Sequence, residues 1–133
     1  MSQENVEASR QVWARFLADD IPGTLAFLDD EIEVHDVPGL PDARVYHGHQ
    51  GWLDQIAKFR EAFSEMTYEP LEFIDAGAHK VVDVIRVRGV AKIGGIEGEL
   101  TVAQVDTWRQ GKIVVIQYFL SKADALEAAV LSE

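Results

Sequence analysis

Apolar positions change period along this chain, from helical to strand-like. Val6, Val12, Trp13, Phe16 and Leu17 recur at helical spacing and predict a first helix over about 5–18, with Ser2 or Asn5 as its cap. Asp20 can cap a short second helix that carries Pro22 in its first turn and runs to about Leu28. Glu31-Ile32-Glu33-Val34 then alternates polar and apolar residues, which predicts a strand over 31–36. A loop over 37–47 follows, marked by Pro38, Gly39 and Pro41. Trp52, Ile56, Phe59 and Phe63 fall at i, i+4, i+7 and i+11, the apolar stripe of a long helix over about 48–65.

Beyond that point the period is two. Strands are predicted over about 67–75, 80–93, 96–108 and 113–120, with turns at Gly94-Gly95 and at 109–112. Pro70 implies an edge strand or a bulge. Ser121 caps a last helix to about Leu131, with Asp124 at the capping-box position. Strands gathered after helices imply an α+β fold in which an antiparallel sheet carries helices on one face. No linker or repeat breaks the pattern, so residues 1–133 read as a single domain.

Sorting each strand into its two faces exposes the candidate chemistry. Ile32, Val34 and Asp36 share a face, so a carboxylate ends an apolar row where Pro38-Gly39 turns the chain away. Asp83 lies in the apolar row of Val81, Ile85 and Val87. Gln104, Asp106 and Trp108 lie in the row of Leu100 and Val102. A carboxylate on an apolar face must be paired or protonated. A two-residue Gly94-Gly95 turn would set Asp83 opposite Asp106, and two carboxylates that close push one pKa up, as acid–base pairs in active sites do. A three-residue loop at Gly111 would bring Ile116 and Tyr118 to the same face. Asp36 is the candidate base, with Asp106, Tyr118 and Asp83 as further catalytic candidates. Trp13, Phe16, Trp52, Ile56, Phe59, Gln104, Trp108 and Ile116 are candidate substrate-binding residues.

Composition narrows the function classes. There is no cysteine, so no thiolate metal site or cysteine nucleophile is available. A net charge of −11 repels phosphate backbones and anionic lipid, which argues against nucleic acid and membrane as partners. No apolar run is long enough to span a bilayer, and the polar, acidic start lacks a signal peptide's pattern, so a cytoplasmic location is expected. His47-Gly48-His49 has no carboxylate or cysteine set around it, and no metal is expected there.

The helical start, the Val34-His35-Asp36-Val37-Pro38-Gly39 turn, the Trp108-to-Ile113 hairpin and the closing Tyr118-Phe119 and Ala125-to-Ala128 segment together resemble the nuclear-transport-factor-2-like superfamily, in particular its SnoaL-like and ketosteroid-isomerase-like branch. The resemblance covers nearly the whole chain. It implies a curved antiparallel sheet wrapped around helices, forming a cone with an apolar pocket, and a homodimer through the sheet. Ketosteroid isomerases carry a similar strand-end aspartate as general base, which implies that role for Asp36. They also keep a protonated aspartate in the oxyanion hole, and Val102-to-Asp106 resembles that strand. Their oxyanion tyrosine on the first helix falls near Val12. Epoxide hydrolases of this fold use an Asp-Arg-Asp set; Asp83 resembles one aspartate, while the arginine position is Val81 and the second aspartate falls at or beside Tyr118. SnoaL-type cyclases place an acid/base aspartate where Tyr118 stands. The resemblance implies a cofactor-independent isomerase or cyclase that transfers a proton next to a carbonyl of an apolar small molecule. The alternatives are a non-catalytic ligand-binding or dimerisation module and an epoxide-hydrolase-like enzyme.

Overall fold

The computed structural model describes residues 2–131. The chain runs α1 (Ser2–Leu17), α2 (Ile21–Leu25), β1 (Leu28–His35), β2 (Val45–His47), α3 (Gly48–Ala62), β3 (Phe63–Asp75), β4 (Lys80–Ala91), β5 (Glu97–Arg109), β6 (Lys112–Phe119) and α4 (Lys122–Leu131). The strands form one curved six-stranded sheet in the order β2-β1-β6-β5-β4-β3. The fold class agrees with the sequence reading. Its sheet is antiparallel except between β1 and β6, which pair in parallel.

Local chemistry sets most boundaries. Asp20 caps α2 by accepting from the Gly23 N–H at 2.9 Å, and Ser121 caps α4 by accepting from the Asp124 N–H at 3.0 Å. β3 is an edge strand whose register shifts between Pro70 and Glu72, so Pro70 marks both edge and bulge. Several boundaries differ from expectation: α1 already begins at Ser2, α2 ends at Leu25 and β1 begins at Leu28. α3 stops at Ala62, and Phe63 already has extended geometry as the first residue of β3. The segment expected as loop contains β2, held to β1 through Val34 opposite Tyr46.

The hairpin registers also differ. Ala91 N–H donates to the Ile96 carbonyl and Gly95 N–H to the Ala91 carbonyl, so four residues, not two, form the β4–β5 loop. Asp83 therefore pairs with Gln104, and Asp106 with Val81. The shift is an even number of residues, so both aspartates keep the same face. The β5–β6 turn is the tight two-residue form, with Gln110 at φ 51° and Gly111 at φ 78°. The extra residue sits one step inward, as a bulge beside Thr107 and Trp108. That bulge, and not the turn, places Tyr118 opposite Gln104 on the shared face.

Helices cover both faces of the sheet, not one. On the front, α1 and α3 pack over Leu28, Ile32, Val34, Val81, Ile113 and Ile116. On the back, α4 seats Ala125 and Ala129 on Val82, Val84, Ala103 and Val105. The first half of β4 is consequently buried on both sides, and from Val81 to Ile85 both alternating rows are apolar apart from Asp83. Alanines at the α4 contact let the helix axis come close to the sheet.

The approach of α3 to β2 is tighter still. A Cβ on Gly51 would lie 2.9 Å from the Tyr46 carbonyl carbon. Backbone cannot yield there as a side chain would. The variant Gly51→Ala is expected to lose about 1–3 kcal/mol, the usual cost of overpacking, read as a lower denaturant midpoint. An unchanged midpoint would contradict this packing.

Candidate functional site

Between the front face of the sheet and helices α1 and α3 lies a cavity of about 430 Å³. The elements that shape it each supply their apolar row. α1 contributes Val12, Trp13 and Phe16; α3 contributes Trp52, Ile56 and Phe59; β4 and β5 contribute Ile85, Val87, Leu100 and Val102. Phe16 is the hub of the aromatic wall. Its ring lies 5.5 Å from Trp13, 6.0 Å from Trp52 and 5.2 Å from Tyr68, each edge to face. Leu40, Phe59, Phe63, Leu100 and Leu120 are exposed at its rim, so the opening is apolar too.

Few polar groups reach this space. Asp36 does so from the end of β1, and its side chain is only 9% exposed. Its Oδ1 accepts from Gln55 Nε2 at 3.0 Å, its Oδ2 accepts from the Arg44 N–H at 3.3 Å, and Lys58 Nζ stands 3.9 Å from Oδ2. Lys58 also pairs with Asp42 at 3.1 Å, which ties the 37–44 loop to α3. Tyr118 lines the cavity beside Gln104, and among the described residues its hydroxyl makes no hydrogen bond. Burial pushes the Tyr118 phenol well above its ordinary range, and the Asp106 carboxylate adds to this, so it is a neutral donor.

Asp83 and Asp106 do not line the cavity. They lie in the wall behind it, 0% and 1% exposed. Asp83 Oδ2 accepts from Trp13 Nε1 at 3.0 Å, and Asp106 Oδ1 accepts from Gln104 Nε2 at 2.7 Å. Ser9 also bonds to Asp106, while Ser9 Oγ accepts from Trp108 Nε1 at 3.1 Å. Asp83 Oδ1 meets no donor. One proton removes the difficulty: Asp83 protonated donates to Asp106, which then accepts from Asp83, Gln104 and Ser9. Burial, followed by the charge of Asp106 and the hydrogen bond to it, holds the Asp83 carboxyl well above the usual carboxylate range. Burial also raises Asp106, but the donors around it oppose that shift.

Of the residues singled out in the sequence, the cavity collects Asp36, Tyr118, Trp13, Phe16, Trp52, Ile56, Phe59, Gln104 and Ile116. Trp108 does not reach it. Its indole packs against Phe27 in the core, and its N–H is committed to Ser9. No arginine touches Asp83 among the described residues, so the epoxide-hydrolase pattern lacks its cation there. His35 engages Glu33, His49 engages the Leu28 carbonyl, and among the described residues no three His, Asp or Glu side chains converge as a metal would need. Sequence reading missed Gln55, Ser9, Lys58 and Tyr68. Gln55 and Ser9 carried a signal: each is a polar residue on a buried helical face, the same anomaly that marked the strand aspartates.

An α+β cone whose sheet and helices enclose one apolar pocket defines a small-molecule-binding fold. The chain belongs to the SnoaL-like domain family, whose sequence pattern matches residues 8–116. A nuclear-transport-factor-2-like protein from Burkholderia xenovorans LB400 is similar in structure, with 27% identity, a TM-score of 0.75 and 97% of each chain covered. TerC, seen with polyporic acid, is 22% identical with a TM-score of 0.75, over 92% of this chain and 98% of that one. A Mycobacterium tuberculosis protein in complex with estradiol-17beta-hemisuccinate is 16% identical with a TM-score of 0.68, over 87% and 92%. No curated relative matches the chain. No helix among the described residues is long and apolar enough to cross a membrane.

The shared proton has a thermodynamic signature. A carboxyl whose folded pKa is raised contributes stability that is complete below its ordinary value of 3.8 and is lost as pH rises through the folded value. Asp83→Asn keeps a donor toward Asp106 and an acceptor for Trp13 but cannot titrate. The stability of this variant relative to the parent is expected to rise steadily from about pH 4 upward, measured by denaturant midpoints across the pH range. Parallel curves for the two proteins would rule the shared proton out.

Proposed function

We propose that this protein is an enzyme that moves a proton next to the carbonyl of an apolar small molecule, as an isomerase or a cyclase. One observation carries the reading. In a cavity whose walls are mostly apolar, the Asp36 carboxylate and an unpartnered phenol, Tyr118, share the lining. Asp36 is held in place by Gln55 and the Arg44 N–H, so its orientation is fixed before a ligand arrives. It would take the proton from carbon. Tyr118 would donate to the carbonyl oxygen as charge develops there, and its raised pKa keeps the donor proton in place. Base and donor are both protein side chains, so the step calls for no cofactor. Asp106, expected beside Tyr118 as a second donor, faces Gln104 and Ser9 and has no part in this step. The structural neighbours seen with polyporic acid and with estradiol-17beta-hemisuccinate support a ring-bearing ligand.

A second reading has its own observation. Both Asp36 oxygens already accept protein hydrogen bonds and a lysine stands close by, as in a pocket that binds without reacting. 2-Tetralone, an apolar bicyclic ketone with acidic α-protons, separates the two. In D2O the protein is expected to speed deuterium uptake at its α-carbon, followed by NMR. Asp36→Asn should lower that rate about 10²–10⁴-fold, and Tyr118→Phe about 10²-fold. Binding of 2-tetralone with exchange no faster than in buffer would establish the non-catalytic reading instead.

A further inference from the structure

We propose that Gln104 acts in the cavity as a hydrogen-bond acceptor, held in that orientation by the buried Asp83–Asp106 pair, and that the ligand presents a hydroxyl or N–H group to it. The inference rests on the cavity being a ligand site, and not on Asp36 acting as a base.

A glutamine amide has a donor end and an acceptor end. Which end faces a pocket is decided by what the other end meets. Gln104 Nε2 donates to Asp106 Oδ1 at 2.7 Å. Turning the amide over would set its carbonyl against a carboxylate oxygen, acceptor on acceptor. Gln104 Oε1 is left without a partner among the described residues and is not sealed from the cavity that Gln104 lines. The strand register explains the geometry. Gln104 sits in one cross-strand row with Asp83 on β4 and Tyr118 on β6, and Asp106 is the next residue on that face of β5.

The Asp83–Asp106 pair holds the amide only while Asp106 is an acceptor. The proton on Asp83 secures this, because Asp83 then donates and Asp106 accepts. Ser9 fits the same polarity, since its oxygen is engaged by the Trp108 N–H and its own proton is free for Asp106.

Gln55 repeats the arrangement, with Nε2 committed to Asp36 and Oε1 left over. One N–H of each amide is thus committed to a carboxylate, and each carbonyl is left without a protein partner among the described residues. The Trp13 N–H is taken by Asp83, and the Tyr68 hydroxyl leans on Met66 Sδ at 3.8 Å. The lining is rich in acceptors, with the Tyr118 hydroxyl as a donor beside them. A ligand that offers only carbonyls would leave Gln104 Oε1 desolvated and unpaired. A hydroxylated or N–H-bearing apolar compound would not. The ligand class is therefore an apolar ring compound that carries a hydroxyl or N–H donor.

Two probes of nearly equal shape test this, 2-naphthol and 2-methoxynaphthalene, titrated by calorimetry. The protein is expected to favour 2-naphthol by about tenfold, the scale of one satisfied buried acceptor. Gln104→Leu should abolish the preference. Asp106→Asn should abolish it too, because the amide it introduces can turn its N–H toward Gln104 and let that side chain flip. Asp83→Asn, which still donates to Asp106, should keep it. A structural role alone would make these two amide variants behave alike. A second readout needs no ligand and no variant: in ¹⁵N spectra of the parent protein one Gln104 Nε2 proton should be protected from solvent exchange. Equal affinity for the probes, absence of binding included, would overturn the proposal. So would a preference that survives Gln104→Leu, or free exchange of both amide protons. A failure of 2-tetralone exchange leaves these measurements untouched, so the two readings fall separately.

Discussion

Asp83 and Asp106 lie against each other where the first helix meets the sheet, both sealed from water. Two ionised carboxylates cannot persist there, and two neutral ones would leave Gln104 and Ser9 facing a poorer acceptor. The state with a single proton gives the bare Asp83 oxygen a partner and keeps Asp106 an acceptor. Through it the indole of Trp13, the hydroxyl of Ser9 and the amide of Gln104 are all fixed. Ser9 and Trp13 lie one helical turn apart, so the network pins the middle of α1 to strands β4 and β5. Val12, Trp13 and Phe16 form the cavity wall from that same stretch. The shape of the pocket on its helical side therefore depends on a polar contact and not only on apolar burial.

The other side of the pocket is set by packing. α3 is pressed onto β2 at Gly51 and turns Trp52, Gln55, Ile56 and Phe59 inward. Gln55 then meets Asp36 at the end of β1. Lys58, one turn further along, clamps the 37–44 loop through Asp42 and stands near Asp36 as well. That loop brings Val37 and Leu40 to the rim. The same helix thus positions the carboxylate and the loop beside it, which makes the polar corner of the cavity rigid while its mouth stays apolar and open.

The period of apolar residues made the element order legible apart from β2, because the front-facing rows of β1, β4 and β5 alternate cleanly. It could not show that α4 covers the back. Val82 and Val84 read as the less apolar row only because Arg86 and Arg88 share it, and those arginines lie beyond the end of the helix contact. Face assignment survives both differences in turn length for a physical reason. A four-residue loop at Gly94-Gly95 changes the β4–β5 pairing by an even step, and the bulge by Trp108 restores the parity that a two-residue turn at Gly111 would have reversed. Pairing partners do not survive, since they depend on the exact loop length. A two-residue turn sets Asp83 opposite Asp106, whereas the longer loop sets it opposite Gln104. Trp108 shows that a shared face does not imply a shared cavity: its ring lies against Phe27 and its N–H is bonded to Ser9 of α1, away from the pocket.

Three aspartates on apolar faces look alike in the sequence, yet their surroundings divide them. Asp36 stands at a strand end, with protein donors on both oxygens, a lysine nearby and one side open to the cavity. Asp83 has one indole donor and one bare oxygen, so it must carry a proton. Asp106 collects the donors of its neighbours and serves as their common acceptor. The same side chain supplies, in turn, a placed carboxylate, a neutral acid and an anchor. What decides among these is the number of donors each oxygen meets, which is a property of strand register and helix docking. The two glutamines follow from that division. Each commits one N–H to a carboxylate, Gln55 to Asp36 and Gln104 to Asp106, which sets the orientation of the amide and leaves its carbonyl without a protein partner among the described residues. The aspartates behind the wall thus set the polarity of a cavity that they do not touch.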